Sequence, residues 1–205
     1  MSAPVPANEA GRLAALHAYA VLDTEAEGAY DDLTQLAAEI CETPVALVTL
    51  VDAHRQWFKS KVGVDVSETP REFAFCAHTI LESKVLQVPD ATQDPRFKDN
   101  PMVIGAPGIR FYAGAPVYTP DGHALGTLCV VDRRARTLAP HQLRSLRVLA
   151  QSVSAQLEIR RKIGELAQVA ASRESVVAEI EEELAAANAR VAALPTCPAC
   201  RALRG

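Results

Sequence analysis

Hydrophobic positions change period along the chain, and each change marks an element. Leu13 and Leu16 share a face of a helix predicted from about Glu9 to Tyr19, with Asn8 as its cap. The link VLDTEAEG is rich in turn formers. Leu33, Leu36, Ala37 and Ile40 then repeat at helical spacing, which predicts a second helix from about Ala29 to Cys41. From Val45 to Val51 the residues form a continuous apolar run, the pattern of a buried strand. Asp52 to Arg55 makes a turn. Gln56 to Val62 alternates, with Trp57, Lys59 and Lys61 on one face and Phe58, Ser60 and Val62 on the other. Pro70 opens a helical segment that runs through Phe75, Cys76, Thr79 and Ile80, and Val85 to Val88 reads as a short strand. Asp90 to Gly108 is rich in Asp, Pro and Asn. Phe97, Met102, Val103 and Ile104 anchor it, which predicts a short helix within an irregular lid.

A second hairpin follows. Arg110 to Tyr118 and Ala124 to Val131 are its strands, and Thr119-Pro-Asp-Gly122 is its turn. Leu125, Thr127, Cys129 and Val131 are expected on one face, and Gly126 on the other, where another backbone can approach closely. Pro140 suits the first turn of a long helix. Its early apolar residues, Leu146, Leu149, Val153 and Leu157, are expected to pack on the globular part or to form a helical bundle there. The phase shifts around Gly164, where the two patterns meet. Ile163, Leu166, Ala170, Arg173, Val177, Ile180, Leu184, Ala187, Val191 and Leu194 step alternately by three and four, and Arg173 breaks the apolar seam. The seam predicts a parallel coiled coil that joins two copies into a homodimer. The alternative is one helix lying along its own domain, which leaves a seam this long without a partner to bury it.

Composition narrows the class. The 205 residues carry a net charge of −4, and 49% are hydrophobic, which fits a globular chain and gives no basic footprint for nucleic acid. The longest apolar run is too short to span a bilayer, and MSAPVPANEAGR shows no signal-peptide pattern. The expected location is cytoplasmic, where Cys41, Cys76 and Cys129 remain reduced rather than forming a disulfide framework.

The order of elements suits an α+β fold with a central antiparallel sheet and helices packed on one side. The stretches RLAALHAYAVLDTEAEGAYDDL, VALVTLVDAHRQWFKSKVG, TPREFAFCAHTILES, VPDATQDPRFKDNPMV and IRFYAGAPVYTPDGHALGTLCVVDRR resemble a GAF domain of the bacterial signalling type. The resemblance runs from about Glu9 to about Arg161. It implies a ligand pocket between sheet and lid, and a helix that carries signal outward to kinase, cyclase or phosphatase outputs. No glycine-rich nucleotide box or GGDEF-like loop is visible in these residues. The expected layout is a sensory domain over 1–161, a dimerisation helix over 162–194 and a tail over 195–205. The tail ALPTCPACRALRG is similar to a segment that follows coiled coils in some bacterial regulators. Cys197 and Cys200 form half of a four-thiolate zinc site, which two copies at the end of a parallel coil would complete. A redox pair or a remnant is the alternative.

Cys76 and His78 are two apart on a helix and point in nearly opposite directions, so a Cys–His nucleophile is disfavoured. The residues expected to line the pocket are Phe58, Phe75, Cys76, Thr79, Phe97, Arg110, Tyr112, Thr127 and Cys129, a mostly apolar set with a few polar groups. An ordinary filled core is the other reading of the same residues. Asp94, Arg96, Asp99 and Asn100 are expected to fix the lid by local bonds. The cysteine settings of tetrapyrrole-binding relatives and the constellation of cyclic-nucleotide-binding members do not occur. No catalytic constellation is expected. The function implied is a sensory or regulatory module that binds a small ligand or a signalling partner and relays this through its coil. The rival is a thiol-redox enzyme of the free methionine sulfoxide reductase type using Cys76 and Cys129, although its lid cysteines are not reproduced here.

Overall fold

In the computed structural model, residues 3–192 are described. Leu194, Cys197, Cys200 and the tail lie outside the described residues. The chain divides into two compact units, Met1–Arg161 and Lys162–Gly205. Among the described residues, no helix is long and apolar enough to cross a membrane.

The first unit is built on a six-stranded antiparallel sheet. Its strands are β1 (Val45–Val51), β2 (Arg55–Val62), β3 (Glu68–Pro70), β4 (Leu86–Val88), β5 (Phe111–Tyr118) and β6 (Ala124–Asp132), in the order β3-β2-β1-β6-β5-β4. Helices α1 (Glu9–Ala18) and α2 (Gly28–Cys41) and the first part of α5 (Pro140–Ala192) cover one face. There Leu16, Tyr30, Ala37, Leu146, Val153 and Leu157 pack on Val48, Leu50, Phe111, Ala115 and Val130. Helices α3 (Phe75–Thr79) and α4 (Pro101–Ile104) lie on the other face with the loops around them. This corrects the expectation of helices on one side. The continuous apolar run of β1 has two buried faces, and both need cover.

Two bulges alter the expected alternation. β1 and β2 slip register at Lys59, which stands between the pairs Val48–Ser60 and Thr49–Phe58. Trp57 faces α2, Phe58 faces α3, and past the bulge Ser60 and Val62 return to the α2 side, where Ser60 donates to Asp31 at 2.6 Å. Strict alternation had placed Phe58, Ser60 and Val62 together. The bulged Lys59 is fully buried, with Nζ 2.6 Å from Glu27, 2.9 Å from Thr24 and 5.2 Å from the centre of the Tyr30 ring. A second slip, at Leu125, turns that residue to the α2 side, while Cys129 stays on the α3 side. Leu125 therefore leaves the face expected for it.

The remaining differences are local. Pro70 ends the three-residue edge strand β3 rather than opening a helix; a 3-10 turn, Arg71–Phe73, separates it from α3. A proline is tolerated on a sheet edge, and so short a strand leaves no alternation to read. Asn8 precedes α1 without capping it; its amide lies 3.4 Å from His123.

In the second unit, Ile163, Leu166, Val177, Ile180, Leu184 and Val191 are each between 53% and 68% exposed.

Candidate functional site

The face of the sheet under α3 carries the candidate chemistry. The 3-10 turn is held by Arg71, whose N–H donates to the His54 carbonyl at 2.9 Å, and by Asn100, whose amide donates to the Phe73 carbonyl at 3.0 Å. These bonds set the start of α3, so that Phe75 and Cys76 drop onto the sheet. As the helical spacing requires, His78 points elsewhere and lies edge-on to Phe97 at 4.7 Å. Asp94 and Arg96 pair at 2.6 Å, and Asn100 caps α4 by accepting from the Met102 N–H at 2.9 Å, so the lid is fixed locally.

Cys76 is the centre of a buried polar cluster. Thr127 donates to its sulfur at 3.0 Å and Tyr112 at 3.3 Å, and the Cys129 sulfur lies 3.6 Å away. Thr79 shares a hydrogen bond with Tyr112 at 2.6 Å, and Thr49 shares one with Thr127 at 3.0 Å. Gly114 makes the cluster possible. A Cβ there would stand 2.1 Å from the Tyr112 hydroxyl. Burial pushes the Cys76 thiol up, but donors from Cys129, Thr127, Thr49 and Tyr112 outweigh this and hold it below the ordinary thiol value. The Cys129 thiol is raised well above its ordinary value, chiefly by its bond to Cys76 and then by burial. Cys41, also buried, is pushed up to about 11 by desolvation that Arg136 only partly offsets. The two environments separate a stabilised sulfur from an inert one.

A cavity of about 1120 Å³ opens beside this cluster. Phe58, Phe75, Cys76, Tyr112 and Cys129 line it, as the sequence suggested. The other expected residues are not on its wall. Thr79 and Thr127 stand behind it as partners of Tyr112 and Cys76. Phe97 stacks behind Phe75 at 4.1 Å, and Arg110 donates to the Val103 carbonyl at 2.8 Å to hold α4.

Sequence reasoning missed the polar part of the wall. Gln56 on β2 and Thr69 on β3 are cross-strand neighbours that face the cavity. Their side-chain oxygens are buried and have no hydrogen-bond partner among the described residues; Gln56 is only 5% exposed. An unpaired buried acceptor costs about 1–3 kcal/mol. Arg133 and Arg134, on the turn after β6, reach the wall from the exposed side. The sequence signals were faint: one glutamine in an alternating strand, and two arginines at a strand end. Among the described residues, no group of three or more His, Cys, Asp or Glu side chains is placed to hold a metal ion.

Comparison with known proteins agrees with this architecture. A cyclic di-GMP phosphodiesterase of Pseudomonas aeruginosa is 42% identical over 159 residues, which cover 77% of this chain and 27% of that protein. The chain thus spans about a quarter of the length of that relative. The fold resembles free methionine-R-sulfoxide reductase of Neisseria meningitidis with its substrate (TM-score 0.55, 15% identity, 80% of this chain and 98% of the other). It also resembles the GAF domain of an Acinetobacter phosphoenolpyruvate-protein phosphotransferase (TM-score 0.53, 14% identity, 77% and 97%). At such identities the likeness is one of fold. Residues 25–157 match the GAF domain family, and with the sheet, the lid and the cavity between them in view, the chain belongs to that family.

Proposed function

We propose that the chain is a sensory module that holds a small ligand between sheet and lid and relays its presence through a dimeric coiled coil. The observation that carries this reading is the cavity with unpaired acceptors in its wall. A ligand that donates hydrogen bonds to Gln56 Oε1 and Thr69 Oγ1 would remove the cost of leaving them buried and unpaired. Phe58, Phe75, Leu47 and Ile109 provide apolar surface for its body, and Arg133 and Arg134 favour an anionic group towards the exposed side. The ligand class is therefore a small amphipathic anion with an N–H or O–H donor.

The relay rests on the second unit. A heptad seam from Ile163 to Val191 stays more than half exposed at its large apolar positions, a surface that a second copy in parallel register would cover. The ligand acts by favouring one of two arrangements of lid and helix. The P. aeruginosa relative, by its name, acts on cyclic di-GMP; we extend this to an output of the cyclic-dinucleotide kind under control of this module.

Native mass spectrometry of the full chain, purified from its own cell, tests the reading. The expected result is a dimer mass with a retained small molecule that is lost in Gln56→Leu. A bare monomer would refute both parts. The enzyme reading predicts instead that Cys76→Ser or Cys129→Ser abolishes sulfoxide reduction. Under the sensory reading, either substitution leaves dimerisation intact.

A further inference from the structure

We propose that Cys76 and Cys129 are a hydroperoxide-reactive pair that closes to an internal disulfide, making the cavity wall a redox-responsive element. This goes beyond ligand sensing and rests on different atoms. Three observations carry it. The two sulfurs are 3.6 Å apart on different elements, α3 and β6, which are 53 positions apart in sequence. Two hydroxyl donors, Thr127 and Tyr112, converge on the Cys76 sulfur and stabilise its thiolate. Both cysteines, each 1% exposed, stand in the wall of a cavity that also reaches exposed residues, and that cavity is the side from which a small oxidant would approach them. Cys41 has neither a neighbouring thiol nor convergent donors among the described residues.

The steps balance. The Cys76 thiolate attacks the peroxide oxygen and the O–O bond breaks. The sulfur becomes a sulfenic acid, and the departing alkoxide or hydroxide takes a proton to leave as alcohol or water. The Cys129 thiol then loses its proton and attacks the Cys76 sulfur. The S–S bond forms, and the hydroxyl leaves as water with that proton. Two electrons pass from the thiols to the peroxide, and a dithiol reductant returns them. Closure draws the sulfurs to about 2.05 Å, a movement of roughly 1.5 Å. Cys76 then ceases to be the acceptor for Thr127 and Tyr112, so α3 shifts against the sheet beside Phe75 and Tyr112.

The test is hydrogen peroxide added in large molar excess to the reduced full chain at pH 7, followed by alkylation under denaturing conditions and peptide mapping. The expected product is a peptide cross-linked between Cys76 and Cys129, with Cys41 still alkylated. Mapping scores Cys197 and Cys200 separately. Full alkylation of Cys76 and Cys129 would overturn the proposal, as would oxidation of Cys41 at the same rate. Thr127→Val removes one donor and should slow cross-linking about fivefold at pH 7, because the thiolate fraction falls. Cys129→Ser should stop at the sulfenic acid, which dimedone traps. The wild-type cross-link decides the matter even if a variant fails to fold.

Discussion

Single residues show how narrowly the sheet is fitted. Gly126 was expected where another backbone comes close, and a Cβ there would lie 1.8 Å from the Thr49 carbonyl oxygen. Backbone cannot swing aside as a side chain can, so Gly126→Ala should destabilise the domain by about 3 kcal/mol or more in urea unfolding. Glu9 offers a pH test. It accepts from Arg12 at 2.8 Å and from Arg71 at 2.5 Å, tying α1 to the turn before α3. Burial opposes its charge, but the two guanidinium groups outweigh this and hold its carboxyl at about 2. The folded value is depressed, so Glu9 contributes stability above its ordinary value near 4.5 and loses it as pH falls towards 2. Denaturant midpoints measured between pH 5 and pH 2 should fall less steeply for Glu9→Gln than for wild type. A parallel loss in both would assign the acid sensitivity to other groups.

At the level of elements, one cation anchors the bulge in β2 and another interrupts the seam in α5. Lys59 has no exposed side-chain surface, and its partner Glu27 also receives Arg160 from α5 at 2.9 Å. Lys59→Ala leaves Glu27 partly buried with one cation and removes the anchor of the bulge. The expected cost is about 3 kcal/mol in denaturant unfolding. In the seam, Arg173 occupies a position that the heptad reserves for an apolar side chain. Under the proposed dimeric coil, Arg173→Leu should raise the melting temperature at fixed concentration, and Ile180→Glu should shift the light-scattering mass to that of one chain. An unchanged mass in Ile180→Glu would show that the seam is covered by something other than a second copy.

For the molecule as a whole, the two faces of the sheet have different tasks. The face under α1, α2 and α5 is filled with Leu, Val, Ala and Phe side chains. The face under α3 holds a second apolar cluster, but a cavity and a buried polar network interrupt it. A ligand bound there at a hundred times its dissociation constant would add about 2.7 kcal/mol of stability. A thermal shift in wild type that Gln56→Leu removes would identify such a ligand in a screen of small amphipathic anions.

Local pattern determined a good deal in this chain. The apolar run of β1, the hairpin turn at Thr119–Gly122, the packing phase of Leu146 to Leu157 and the departure of His78 from Cys76 all follow from periodicity, because one element's repeat decides which side chains share a face. Two register slips, at Lys59 and Leu125, do not follow from it. A bulge forms where a neighbouring element rewards the displaced residue, and the partners of Lys59 are a glutamate and a threonine more than thirty positions away. The site shows the same division. Phe58, Phe75, Cys76, Tyr112 and Cys129 were legible as candidates by type. Tertiary structure alone decided that the two sulfurs meet, that Thr79 and Thr127 serve from behind, and that Gln56 and Thr69 face the cavity unpaired. Hydrogen-bond satisfaction depends on which atoms the whole fold brings within reach, and no local repeat encodes that.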